Sequence, residues 1–214
     1  DRGIDPADLQ LSVAQAAKGL PLTALLAPAY RAKTLTIWAL YCLGTFILYL
    51  LASWLPVLLI SAGWADADAY RGSVVVQVGG ILGSIVAAIF IDRGQLPRVL
   101  SALFALSIAC LVLLSIVPGT VWVWNALIFA IGFGVAGSNL ILLGAAAALF
   151  PETLRATSAG WTTAIARGGA IVAPLAGGAA LSAGIAPSAI LSSLAVPILC
   201  QLFMVIATRR HLVR

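Results

Sequence analysis

Residues 121–150 read VWVWNALIFAIGFGVAGSNLILLGAAAALF, a run with no charged side chain that closes at Pro151. A helix needs about 20 mostly apolar residues to cross a bilayer. This run is longer, so it must tilt or project beyond the hydrocarbon. Inside it, Gly132-Phe133-Gly134-Val135-Ala136-Gly137 matches the G-x-G-x-x-G string of dinucleotide sites. That site requires a preceding strand and a helix that starts in water, and neither surrounds these glycines. They predict close packing between membrane helices instead, as does Gly79-x-x-x-Gly83.

Five further apolar runs flank this one. Spans are predicted from about Thr34 to Ile60 with a late break at Pro56, from about Gly72 to Ile91, and from Pro97 to near Val117. After the central run, one extends from about Ala156 to Ala183 with Pro174 inside it. The last starts at Pro187, bends at Pro197 and ends before Thr208. Of 214 residues, 62% are hydrophobic and 9% charged, far from the roughly 25% charged residues of soluble domains. The expected fold is an all-α membrane protein: six transmembrane helices over residues 34–208, a linker at 1–33 and a tail at 209–214. The linker carries Pro6, Pro21 and Pro28, with room for a short amphipathic helix near Leu9 to Ala17. Because the chain opens on Asp1 and a mixed polar stretch, it is expected to be a piece of a longer polypeptide.

The net charge of +5 does not point to nucleic acid, since the cations stand singly or in pairs between apolar runs rather than on one basic face. With the N-terminus inside, Arg2, Lys18, Arg31, Lys33, Arg93, Arg98, Arg155, Arg209, Arg210 and Arg214 all fall on the cytoplasmic side. Arg71, beside Asp66 and Asp68, is left on the other. That asymmetry predicts a multi-pass protein of the inner (cytoplasmic) membrane with both termini cytoplasmic.

Arg167 belongs to neither side. It lies some eleven residues into its span, and at about 1.5 Å per residue that is roughly 16 Å deep, near the middle of the core. Arginine at a helix centre costs about 2.5–3.5 kcal/mol on insertion scales, and no span holds an Asp or Glu away from its ends to pair with it. Its partner is then another subunit, a missing half or an anionic ligand. Gly160, Ala164, Ile171, Pro174 and Gly178 share its helix face, a small face suited to close contact or to a cavity wall. On the first span Trp38, Tyr41, Thr45 and Tyr49 form a stripe fit for a ring-bearing polar ligand. An interfacial belt and hydrogen bonds between helices are the competing accounts. Gln77 and Asn139 are the other deep amides, as binding groups or as helix glue.

Enzymatic chemistry is not expected. His211 is the sole histidine and lies in the tail, and no buried carboxylate pair exists, so acid–base, nucleophilic and metal mechanisms each lack a part. Cys42, Cys110 and Cys200 lie in apolar runs, an odd number without metal-type spacing.

Three stretches resemble the major facilitator superfamily. Gly83 through Arg98, ending Ile-Asp92-Arg93-Gly94-Gln-Leu-Pro97-Arg98, is similar to that family's G-x-x-x-D-R-x-G-R-R loop. The others are Phe150-Pro-Glu-Thr-Leu-Arg155-Ala-Thr-Ser-Ala-Gly160-Trp161 and Ala166-Arg167-Gly-Gly-Ala-Ile-Val-Ala-Pro174-Leu-Ala-Gly-Gly178. The last two resemble the aromatic acid:proton symporters, as do Ala29 through Trp38 and Ser53-Trp-Leu-Pro56. The resemblance implies the C-terminal half-bundle of a carrier, two inverted three-helix repeats that work by alternating access with an N-terminal six-helix half. It also implies proton-coupled uptake of an aromatic or related carboxylate, driven by the proton gradient with no cofactor and no metal. Arg167 then faces the carboxylate, with Asn139, Gln77, Tyr41, Thr45 and Tyr49 as the rest of a half-site. Asp92, Arg93 and Arg155 match gating positions. Asn139 and Leu143 stand where the family carries Gln and Asn, which leaves the substrate open. The family's proton-linked acids lie in the other half. A sugar or other organic-anion carrier, a pair of identical six-helix units and a non-transporting membrane subunit are the alternatives.

Overall fold

The computed structural model of the chain describes residues 22–61, 63–91, 94–117 and 120–212. Its helices are α1 (Leu22–Leu25), α2 (Arg31–Ser61), α3 (Asp66–Ile91), α4 (Leu96–Ile116), α5 (Val121–Ala148), α6 (Glu152–Ser182), α7 (Pro187–Ser193) and α8 (Ala195–Thr208), followed by a 3-10 turn at Arg209–His211. Among the described residues, six crossings are long and apolar enough for a membrane, α7 and α8 forming the last one together. The chain is an all-α, multi-pass membrane bundle. Most of the predicted linker, residues 1–21, lies outside the described residues.

Helix ends run past the predicted spans. α3 starts at Asp66 rather than near Gly72, and α6 at Glu152 rather than Ala156. Apolar runs mark the hydrocarbon edge, but a helix continues into the headgroup layer. There Asp66, Asp68 and Glu152 in first turns face the positive ends of the helix dipoles. Pro56 does not break α2, which is helical from Arg31 to Ser61. The predicted bend of the last span falls at Leu194, three residues before Pro197. Proline has no N–H for the Ser193 carbonyl and its ring crowds that group, and Leu194 N bonds Leu191 O instead at 3.2 Å.

In chain order the crossings form two triplets, α2-α3-α4 and α5-α6-α7/α8. The middle helix of each packs on the first helix of the other: α3 on α5, and α6 on α2. The third helices are peripheral, α4 against α5 and α8, and α8 against α4 and α2. This exchange of partners is the pseudo-two-fold pattern of inverted three-helix repeats.

Glycine makes these contacts possible. A Cβ on Gly79 or Gly83 would meet the Phe129 or Phe133 carbonyl, one on Gly132 would meet the Val76 carbonyl, and one on Gly137 would press on the Gly83 backbone. Gly134 points to α4, against the Leu103 carbonyl and Ser107. The three glycines of the dinucleotide-like string are thus helix contacts, two toward α3 and one toward α4. On the matching interface, Gly169 abuts the Cys42 carbonyl and Gly177 the Trp54 ring. The Trp54 indole donates to the Pro174 carbonyl at 3.1 Å.

Gly144, with nothing within 4 Å of a Cβ, provides a control. Gly132→Ala is expected to cost about 1–3 kcal/mol of stability through overpacking, whereas Gly144→Ala should cost nothing and gain up to about 1 kcal/mol of helix propensity. Thermal unfolding of the detergent-solubilised protein checks the pair.

Candidate functional site

Four helices each give one face to an open cavity of about 310 Å³. α2 contributes Tyr41, Thr45, Leu48 and Tyr49; α3 contributes Gln77, Gly80 and Ile81; α5 contributes Ala136, Asn139 and Leu140; and α6 contributes Thr163, Ala166 and Arg167. Each set has the i, i+3, i+4 spacing of one helical face. The contributors are the first and second helix of each triplet, while α4, α7 and α8 contribute none.

All six residues predicted for a half-site, Arg167, Asn139, Gln77, Tyr41, Thr45 and Tyr49, line this one cavity. Arg167 and Gln77 are left uncovered by the chain, and Tyr49 is 39% exposed. Asn139 is buried, and its Nδ2 donates to Thr45 Oγ1 at 3.4 Å, joining α5 to α2. Its Oδ1 is buried without a hydrogen-bond partner among the described residues. Among the described residues no acidic side chain lines the cavity. The ion pairs formed among the described residues, Arg71–Asp68 and Arg155–Glu152, do not involve Arg167. The site therefore carries one fixed positive charge, ringed by hydroxyls, amides and aromatic faces. That arrangement suits an anion with a polar ring.

Three details differ from the sequence reading. Trp38 shares the arc of Tyr41 but packs on the core and does not line the cavity, its buried indole nitrogen having no hydrogen-bond partner among the described residues. The small face of α6 is divided: a Cβ on Gly160 would meet nothing within 4 Å and Ile171 is 63% exposed, whereas Pro174 and Gly178 meet Trp54 of α2. The face of α6 that packs carries Ala166, Gly169, Ala170, Ala173 and Gly177, because α2 takes that side. Gln201, a third deep amide, passed unnoticed in the sequence. It is 1% exposed, and its Nε2 donates to the Leu40 carbonyl at 2.8 Å. The signal was an amide in the middle of the apolar run Val196 to Ala207.

Asp92 and Arg93 lie outside the described residues. Arg155 is away from the cavity, its Nε donating to the Phe150 carbonyl at 3.4 Å and its guanidinium 3.8 Å from Glu152. Lys33 reaches the same turn, donating to the Leu149 carbonyl at 3.1 Å with its ammonium 5.9 Å from the Phe150 ring centre. Tyr30 packs on that ring at 6.0 Å. Two cations thus cover the carbonyl end of α5, where the helix dipole is negative, and tie the α5–α6 turn to the start of α2.

The profile of the Major Facilitator Superfamily matches residues 3–174. The chain is 32% identical to a gallate transporter of Pseudomonas putida over 87% of its length and 42% of the relative's. It is 33% identical to a gentisate transporter of Corynebacterium glutamicum over 80% of its length and 41% of the relative's. A 4-hydroxybenzoate transporter of Pseudomonas putida is 29% identical over 78% of the chain and 38% of that protein. The chain spans about two fifths of the length of these curated relatives.

Lys33→Met should release the carbonyl end of α5. The expected loss is about 1–3 kcal/mol for a charged hydrogen bond, read as lower thermal stability together with faster amide exchange in the α5–α6 turn.

Proposed function

The chain belongs to the major facilitator superfamily, and from that premise we propose that it is the C-terminal half of a proton-coupled symporter for an aromatic carboxylate. The observation that carries this reading is the cavity itself, in which the described residues set a single arginine among hydroxyls, amides and aromatic faces with no carboxylate on its walls. A carboxylate entering it pairs with the planar guanidinium of Arg167 through two parallel hydrogen bonds, a geometry an ammonium cannot match. The ring lies along Tyr41 and Tyr49, and Thr45, Asn139 and Gln77 meet its polar substituents. The relatives named for gallate, gentisate and 4-hydroxybenzoate support a hydroxylated benzoate as substrate.

The remaining wall comes from an N-terminal six-helix half, which seats on the uncovered faces of α3 and α6 and brings the proton-carrying acid. Rocking of the two halves exposes the site to each side in turn, and the proton gradient supplies the energy without a cofactor. Asp92, Arg93 and Arg155 act as a cytoplasmic latch rather than as substrate ligands. The cation asymmetry supports an inner-membrane carrier with both termini in the cytoplasm.

Uptake of labelled 4-hydroxybenzoate by cells carrying the full-length protein tests the reading. Uptake should collapse with a protonophore and be blocked by excess benzoates but not by sugars. Sugar uptake alone would replace aromatic acids with sugars, and no transport of either would leave a non-transporting subunit. Arg167→Ala should weaken binding by about 10- to 100-fold, the worth of a charged hydrogen-bond pair. Arg167→Lys should recover little of it, and unchanged affinity in Arg167→Ala would remove the counter-ion role. Arg155→Ala should instead alter transport rate with binding intact, as comparison of equilibrium binding and initial uptake will show.

A further inference from the structure

α8 contributes nothing to the cavity wall, yet it sends one buried amide to the helix that carries more of the site's polar groups than any other. Gln201 Nε2 donates to the Leu40 carbonyl in the middle of α2, with the donor and acceptor 161 residues apart in the chain. That carbonyl directly precedes Tyr41, and Gly44 and Thr45 follow one turn later. Gly44 leaves a gap into which two side chains reach from different helices. A Cβ there would sit 2.8 Å from Asn139 Oδ1 and 3.1 Å from Gln201 Nε2. A leucine would fill the volume of Gln201 at less cost in lipid, so the amide is placed where its polarity acts.

The chemistry of that gap sets the direction of the neighbouring hydrogen bond. The end of the Asn139 amide facing the gap is its oxygen, and the end of Gln201 facing it is its amino group. Opposite partial charges thus face the same gap, with no hydrogen bond from any described residue to Asn139 Oδ1. A flipped Asn139 would set two amino groups against each other. Held this way, Asn139 turns its Nδ2 to Thr45 Oγ1. The threonine oxygen then accepts, and its own hydrogen is free to point into the cavity it lines. In the flipped state the Asn139 oxygen would take that hydrogen.

We propose that Gln201 is a positioning residue for the substrate site. From behind Gly44 it fixes α2 and the orientation of the Asn139 amide, and so presents the Thr45 hydroxyl as a donor to a ring hydroxyl of the substrate. This rests on the aromatic-carboxylate reading above. Gln201 touches no substrate. Its effect is on selectivity between hydroxylated and plain benzoates, whereas simple helix glue would affect stability alone.

The test is equilibrium binding of labelled 4-hydroxybenzoate and benzoate to the purified full-length carrier. The wild-type protein should prefer 4-hydroxybenzoate. Gln201→Met, of similar volume but without the amide, should weaken 4-hydroxybenzoate binding about fivefold, the worth of one ordinary hydrogen bond, while benzoate changes less than about twofold. In a Thr45→Val background, Gln201→Met should add no further loss, because both changes remove the same donor. Gly44→Ala displaces both amides without altering Gln201 and should lower the same preference, which keeps the test decisive if Gln201→Met does not fold. Equal weakening of both acids, or an unchanged preference in folded Gln201→Met or Gly44→Ala, overturns the positioning role. Wild-type binding of both acids without preference overturns it too, yet leaves the aromatic-carboxylate reading standing. Binding of neither acid overturns both.

Discussion

Where Gly132 meets the Val76 carbonyl and Gly79 and Gly83 meet the carbonyls of Phe129 and Phe133, two helix backbones touch with no side chain between them. In water such a contact would be one of many ways to bury apolar surface. In lipid no hydrophobic gain favours one apolar neighbour over another, and association depends on close packing and polar contacts between helices. The α3–α5 seam supplies that close packing, and the α2–α6 seam repeats it with Gly169 and Gly177. The cavity lies between these seams. Each seam joins the middle helix of one triplet to the first helix of the other, so the four lining faces converge as a consequence of the packing.

The same constraint explains how the polar groups are used. A hydroxyl or amide at this depth must find a partner in the protein. Most serines bond to their own helix, as Ser107 does to Leu103 and Ser138 to Val135. Asn139 and Gln201 instead bond across helices, and both converge on the Leu40–Thr45 stretch of α2. Among the described residues Arg167 has no acidic partner, and its side chain is left exposed on α6. The unmet charge, the exposed part of the small face and the open cavity coincide. The chain spans about two fifths of the length of its curated relatives, and on the proposed reading the other half closes that side.

Reading the residues in order is enough to find the six crossings, their approximate ends and the packing role of the glycines. Each of these depends on the cost of placing one segment in hydrocarbon, a cost that residue type and spacing report directly. The helix ends at Asp66 and Glu152 were less legible, because headgroup layers tolerate polar residues and the apolar count stops too early. Pro56 and Pro197 show the limit of punctuation. The same residue left one helix continuous and divided another.

Helix number, membrane placement and the identity of the charged group were properties of the sequence by itself. The tertiary structure decided that Arg167, Asn139, Gln77 and the Tyr41–Tyr49 face share one cavity, that Trp38 does not, and that Gln201 stands behind it. Those outcomes turn on the rotation of each helix about its axis. Rotation is set by many small contacts between residues far apart in the chain, each worth little alone, and by whether a glycine lets a neighbour approach. Composition and spacing place a residue at a depth and on a face; which neighbour that face meets is a property of the packed bundle.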